Sequence, residues 1–133
     1  MTSAGIWAHP ADRHLTIVLL RPDGTRQPPV HVARTKAARA SLVHYLGGYA
    51  NHLTVTESVA RQDRLVEHLH NSPLTVWLVP DPLLKALAQA AGLGDSAARS
   101  RAAILARLPG VSAFKPLLRR IQPPDPRQLT LLR

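Results

Sequence analysis

The chain has 133 residues, 45% of them hydrophobic and 19% charged, a composition typical of one globular domain that can bury its own core. It contains no cysteine, which excludes a disulfide framework and any thiolate metal site. The net charge is +9, and 14 of the 17 basic residues are arginine, whose planar fork matches phosphate oxygens. A polyanion is therefore the first partner to test, although a GC-rich genome would also enrich a chain in arginine.

The beginning of the chain carries the pattern of three short strands. Residues 3–8 form a brief apolar segment before a break at Pro10. Residues 14–20 are rich in β-branched and aliphatic side chains and end at a strong turn signal over residues 22–24. Residues 30–33 form a third strand. We expect the first two strands to pair as a hairpin.

The middle of the chain alternates between helical and strand patterns. The predicted elements are a helix from Thr35 to the Gly47-Gly48 pair, a strand over 53–56, a helix over 61–70, a strand over 74–79, and helices over 83–91 and 96–108. Prolines at 109, 116, 123, 124 and 126 are then expected to interrupt regular structure. The prediction is a domain over residues 1–108 and a proline-rich basic tail over 109–133.

This order of elements predicts an α/β fold. Three early strands joined by tight turns would be antiparallel, whereas strand-helix-strand alternation requires parallel neighbours. The expected result is a mixed five-stranded sheet with helices on its faces. Ribonuclease H-like (RuvC-like) domains have this order, as do the beginnings of several other α/β folds.

One carboxylate lies where such a nuclease would need it. Ribonuclease H-like nucleases hold two divalent metal ions on clustered carboxylates, which converge from strand ends and a helix. Glu57, one of only two glutamates, comes at the end of the fourth predicted strand. A solvated carboxylate, or a charge favoured at a helix N-terminus, explains that position equally well.

Several short motifs recur together in one known family. They are Gly5-Ile6, Thr54-Val55-Thr56-Glu57-Ser58, Val76-Trp77-Leu78-Val79-Pro80, Ala102-Ala103-Ile104-Leu105-Ala106-Arg107 and Gln122-Pro123-Pro124-Asp125-Pro126. In order and spacing the chain resembles the N-terminal RuvC-like domain of DEDD transposases of the insertion-sequence-110 type, relatives of the pilin-gene inverting recombinase. The resemblance implies that the active proteins assemble as multimers on DNA. It also implies that an RNA transcribed from the transposable element can guide them. It also implies that residues 129–133 begin a long helix, truncated here.

The departures from the family pattern concern its metal ligands. The resemblance implies aspartates at the positions of Trp7, Ala98 and Arg101, and only Glu57 keeps its carboxylate. We therefore expect a catalytically inactive domain without a cofactor. The alternative is an active nuclease in which Asp12 and Asp95 join Glu57 to hold Mg²⁺.

Basic residues accumulate at the end of the chain, where residues 96–133 hold eight cations and one acid. The candidate nucleic-acid contacts are Arg99, Arg101, Arg107, Lys115, Arg119 and Arg120. Arg99 and Arg107 lie about 80° apart on a helix, whereas Arg101 points elsewhere. Exposed, they would bind phosphates in a salt-sensitive way, and the competing interpretation is an ordinary solvated helix face.

A third hypothesis is a protein-interaction module. Its candidate docking residues are the apolar side chains of the tail, Leu117, Leu118, Leu129, Leu131 and Leu132. They would contact a second copy of the chain or a full-length transposase. This hypothesis predicts a homodimer or a mixed complex where the nucleic-acid hypothesis predicts binding to DNA or RNA.

Neither a membrane segment nor an export signal is visible in the sequence. Apolar runs such as residues 17–20 are far shorter than the roughly 20 residues that span a bilayer. The first residues lack a basic cluster followed by a long apolar core. We expect a cytoplasmic protein.

Overall fold

The computed structural model describes residues 2–65, 74–92, 98–111 and 113–121. Its strands are β1 (Ser3–Trp7), β2 (His14–Leu20), β3 (Val30–Ala33), β4 (His52–Thr56), β5 (Thr75–Val79) and β6 (Arg119–Ile121). Its α-helices are α1 (Lys36–Tyr49), α2 (Glu57–Gln62), α3 (Asp81–Ala90) and α4 (Ala98–Arg107), with short 3₁₀ turns at Leu108–Gly110 and Lys115–Leu117.

The six strands form one mixed sheet in the order β3-β2-β1-β4-β5-β6. The β1–β2 and β2–β3 pairs are antiparallel, whereas β1, β4 and β5 run parallel. The predicted α/β class and mixed sheet are therefore confirmed.

The predicted number of five strands is wrong, because β6 adds a sixth at the β5 edge. Arg120 of β6 stands opposite Trp77 in an antiparallel pair. Prolines before and after this short segment led us to expect no regular structure there. A three-residue strand has too few side chains for a pattern, and it forms because the β5 edge offers backbone partners.

Side chains alternate between the two faces of the sheet, and both faces are covered. Ile6, Ile17 and Val55 belong to a large core that includes Leu46 of α1. On the opposite face, residues of β1 and β5 pack with Leu84 of α3 and Leu105 of α4. This arrangement follows from the strand geometry, in which successive side chains point to opposite faces of the sheet.

Two predicted helices begin or end elsewhere. Helix α2 begins at Glu57, four residues before the expected start, and residues 66–70 of that prediction lie outside the described residues. Helix α1 continues through Gly47 and Gly48 to Tyr49, because its neighbour Leu46 is buried in the core. In the described segments no helix is both long and apolar enough to cross a membrane.

Helix α4 lies directly on β1 at Gly5. A Cβ atom at Gly5 would overlap the carbonyl oxygen of Ala102 and lie 2.6 Å from the backbone nitrogen of Ala106. Only glycine permits so close a backbone approach. The contact therefore fixes the position of α4 along β1. The first half of the helix lies near Trp7, and Arg107 lies near the start of β1.

A buried ion pair fixes the turn between β1 and β2. Arg34 donates from Nε to Asp63 Oδ1 at 3.0 Å and from a terminal nitrogen to Asp63 Oδ2 at 2.7 Å. Its other terminal nitrogen donates to the carbonyl oxygens of His9 and Asp12. The carboxylate raises the pKa of Arg34 above its ordinary value through this hydrogen bond. One guanidinium thus joins the turn to the end of α2.

Candidate functional site

The parallel strands β1, β4 and β5 end at one edge of the sheet, here called the carboxyl edge. A cleft of about 580 Å³ opens there between the end of β1, the start of α2 and helices α3 and α4. Its lining includes Trp7, His9, Ser58, Asp81, Lys85 and Arg101. The strand ends and helices therefore bring together residues far apart in the sequence.

Trp7 and Arg101 form a stacked pair in the wall of this cleft. The central guanidinium carbon of Arg101 lies 5.1 Å from the centroid of the Trp7 ring. Arg101 is only 7% exposed, so this cation–π contact is largely shielded from water. The prediction that Arg101 belongs to an exposed nucleic-acid surface is corrected, because α4 turns this side chain toward the sheet.

The ends of β4 and β5 are joined by a hydrogen-bonded pair that the sequence analysis missed. Asp81, the first residue of α3, accepts from the backbone nitrogen of Ser58 at 3.2 Å and from its hydroxyl at 2.5 Å. Glu57 precedes Ser58 as the first residue of α2 and is half-buried. The sequence did offer a signal for Asp81, because this residue lies just after the predicted strand over 74–79, where strand ends bring side chains together.

Asp12 and Asp95, which the alternative metal site would add to Glu57, differ in whether the structure describes them. Asp12 is exposed in the β1–β2 turn, where its side chain accepts from the backbone nitrogen of His9 at 3.0 Å. Asp95 lies outside the described residues, and Ala98 is the first residue of α4. Over 2–65, 74–92, 98–111 and 113–121, no three His, Asp or Glu side chains form a group that could hold a metal ion.

A second group of charged residues lies at the opposite edge, the amino edge, where β1 and β4 begin. Here Arg21, His52 and Arg107 line a cavity of about 230 Å³ beside Ser3. No acidic residue belongs to its described lining. Arg107 was predicted, whereas Arg21 and His52 were not, because they come from elements distant in the sequence.

His52 connects this cavity to the basic residues that follow α4. Trp77 donates its indole N–H to Nδ1 of His52 at 3.0 Å, and the Lys115 ammonium lies 5.8 Å from the centroid of the Trp77 ring. Burial lowers the pKa of His52, and the charges of Lys115 and Arg120 lower it further. Lys115 and Arg120 therefore add positive potential at His52, which lines the same cavity as Arg107.

The other end of α4 repeats the pairing of arginines. Arg99 lines a groove of about 450 Å³ together with Arg26 from the segment between β2 and β3. Arg99 and Arg107 are separated by about 12 Å along the helix, at 1.5 Å per residue. Five of the six predicted contacts are exposed: Arg99, Arg107, Lys115, Arg119 and Arg120. We call these five, with Arg21 and Arg26, the basic surface.

The apolar residues predicted for docking are not all available. Leu117 is exposed, but Leu118 is buried and packs with Val79 and Leu105. Leu118 is therefore part of the core, a correction to the predicted docking set, because the chain turns back to form β6. Leu129, Leu131 and Leu132 lie outside the described residues.

Fold and site together define an α/β domain with a mixed six-stranded sheet, a cleft at one edge and basic residues at the other. No protein-family model matches the chain, and no curated protein matches its sequence. The two edges of the sheet are therefore the candidate functional regions of the described part of the chain.

Proposed function

We propose that the chain is a ribonuclease H-like domain, similar to the N-terminal domain of a DEDD transposase, that binds nucleic acid without cutting it. The observation that carries this proposal is the Trp7–Arg101 stack at the carboxyl edge. The strand order β3-β2-β1-β4-β5, antiparallel and then parallel, supports the fold assignment because ribonuclease H-like domains share it.

The charges in the cleft support the proposal that the domain does not cut nucleic acid. Two-metal catalysis needs several carboxylates around two ions about 4 Å apart. Trp7 offers an apolar ring, and Arg101 is a buried cation that would repel divalent metals. Asp81, the carboxylate in the described lining, already accepts two hydrogen bonds from Ser58.

The basic surface supports the proposed binding of nucleic acid. Arg26 beside Arg99 and Arg21 beside Arg107 place two arginine pairs along α4, and Lys115 and Arg120 extend the positive field past His52. Arginine forks suit phosphate oxygens, and such contacts release counterions. The expected ligand is DNA or RNA, bound without sequence preference and with steep salt dependence.

The test is fluorescence anisotropy with duplex DNA and with an RNA hairpin between 50 and 200 mM salt. Each lost phosphate contact lowers the slope of log affinity against log salt by about one. The double variant Arg99→Gln/Arg107→Gln should therefore lower the slope by about two and weaken binding at least tenfold at 50 mM salt. Exposed Arg61 on α2 provides the control Arg61→Gln, which should bind as the parent does. No retention of either nucleic acid at about 50 mM salt contradicts the proposal.

A further inference from the structure

The cleft at the carboxyl edge has its own cations and the size of a ligand site. Its volume of about 580 Å³ falls within the range of small-molecule pockets, roughly 300–1,000 Å³. Lys85 and Arg101 line it from α3 and α4, two helices on the same face of the sheet. Arg21 and Arg107 of the basic surface lie at the opposite edge, and none of its seven residues belongs to the described lining of this cleft, which would therefore be a second site.

We propose that this cleft binds a nucleotide through its phosphate monoester, directly on Arg101 and Lys85 and without a metal ion. The stack on Trp7 holds the Arg101 guanidinium in place before any ligand arrives. A cation ordered in advance loses less conformational entropy on binding an anion. Lys85 is exposed and flexible, and its ammonium adds a second charge for the same phosphate.

The remaining lining favours a nucleotide over a bare phosphate. Trp7, Pro10, Pro82 and Leu84 provide apolar wall that a phosphate ion would leave empty and that a base or a sugar would cover. Asp81 accepts hydrogen bonds from Ser58 at both oxygens. A carboxylate has about four acceptor positions, so Asp81 keeps capacity for a sugar hydroxyl or a base amino group.

The charge balance also disfavours a cation as the occupant. In the described lining of the cleft, Lys85 and Arg101 are positive and Asp81 is negative. Asp81 is also held by its two hydrogen bonds with Ser58, whereas Lys85 is free to move toward a ligand. The choice of a nucleotide rests on the proposed nucleic-acid function, but the phosphate subsite stands on the two cations alone.

The experiment is calorimetric titration of the full chain with 5′-AMP in EDTA at low salt, with adenosine and inorganic phosphate as comparisons. We expect one AMP per chain and at least tenfold weaker binding of adenosine. Lys85→Gln should weaken AMP binding about tenfold, because a charge-assisted contact is lost. Lys36→Gln, which changes an exposed lysine on α1, should leave it unchanged.

Several results would overturn the inference: adenosine binding as tightly as AMP, Lys85→Gln without effect, or a requirement for a divalent ion. Trp7→Phe replaces the indole under Arg101 by a smaller aromatic ring and should weaken AMP binding. An unchanged unfolding transition shows that this variant still folds. If phosphate binds as tightly as AMP, the nucleotide assignment fails.

Two further arms separate the source of the nucleotide from the function of the basic surface. Competition of AMP by a 5′-phosphorylated oligonucleotide, but not by its 5′-hydroxyl form, identifies a strand end, whereas competition by neither identifies a free nucleotide. Lys85→Gln should bind duplex DNA as tightly as the parent chain does, and Arg99→Gln/Arg107→Gln should bind AMP as tightly as the parent chain does. A parent chain that binds AMP but binds neither duplex DNA nor the RNA hairpin at about 50 mM salt therefore contradicts the proposed function only.

Discussion

The guanidinium of Arg101 lies 5.1 Å from the centroid of the Trp7 ring and joins α4 to the end of β1. These are two of the positions at which the resemblance to DEDD transposases implies aspartates. In this chain the two positions hold a cation on an aromatic face, an arrangement that joins the two elements and needs no metal ion.

The first prediction concerns catalysis. Neither Mg²⁺ nor Mn²⁺ should support cleavage of branched, duplex or single-stranded DNA, because the described cleft presents Trp7, the cation Arg101 and a single carboxylate, Asp81, where two-metal catalysis needs several carboxylates. The measurement is a time course of labelled DNA on a denaturing gel. Glu57→Gln serves as the paired sample: metal-dependent cutting that disappears in this variant would establish an active site.

The second prediction concerns the backbone contact at Gly5. Gly5→Ala should lower the free energy of unfolding by about 3 kcal/mol, since its Cβ would meet the Ala102 carbonyl and Ala106 nitrogen. Urea denaturation measures the change. Gly48→Ala is the control, because nothing lies within 4 Å of the added carbon and α1 should gain about 0.5–1 kcal/mol. Equal effects would disprove the close approach of α4.

The third prediction concerns the ion pair of Arg34 and Asp63. Asp63→Ala should cost about 3–5 kcal/mol, because it leaves a largely buried guanidinium without its bidentate acceptor. Thermal and urea unfolding provide the measurement. Asp23→Ala removes an exposed carboxylate that bonds to Thr25 within its own turn, and it should lower the free energy of unfolding far less than Asp63→Ala does. A similar cost for both would mean that the pair does not anchor the β1–β2 turn.

The fourth prediction is a pH dependence that arises at His52. Its pKa is lowered in the folded state by burial and then by Lys115 and Arg120, and Nδ1 accepts the Trp77 hydrogen bond in the neutral form. As pH falls through the unfolded-state pKa of about 6.5, His52 binds a proton in the unfolded chain but stays neutral in the folded chain, and the free energy of unfolding decreases. The contribution is complete above that pH and is lost as pH falls toward the folded pKa.

The measurement for His52 is the urea midpoint at pH 7 and pH 5.5. His52→Gln, whose amide oxygen can accept from Trp77, should lose less stability over this range than the parent chain does. Lys115→Gln should also reduce the loss, because it removes one of the charges that lower the pKa. An identical pH profile in all three chains would show that His52 does not titrate in this way.

The fifth prediction concerns a buried hydroxyl under α4. Thr54 is fully buried, and its hydroxyl oxygen has no hydrogen-bond partner within the described part of the chain. An unpaired buried polar group costs free energy, whereas valine has nearly the same shape. Thr54→Val should therefore keep or raise the free energy of unfolding by up to about 1 kcal/mol. A loss greater than 1 kcal/mol would mean that the hydroxyl has a partner.

Local patterns sufficed for much of the fold. The strand at residues 14–20 and the helix that follows Thr35 agree with β2 and α1, because a run of β-branched and aliphatic side chains and a capping threonine are properties of neighbouring residues. Helix α2 was placed four residues too late, since Glu57 and Ser58 also fit the end of a strand pattern. Residues 119–121 were missed because their strand depends on the edge of β5.

The site divides in the same way. The sequence by itself determined that Arg99 and Arg107 share a helix face and that Arg101 turns away from them, because the helical period sets side-chain direction. Only the tertiary structure decided that Arg101 lies on Trp7 and that Arg21 joins Arg107. Local spacing orients a side chain on its own element, whereas burial and backbone pairing between distant segments decide which elements meet.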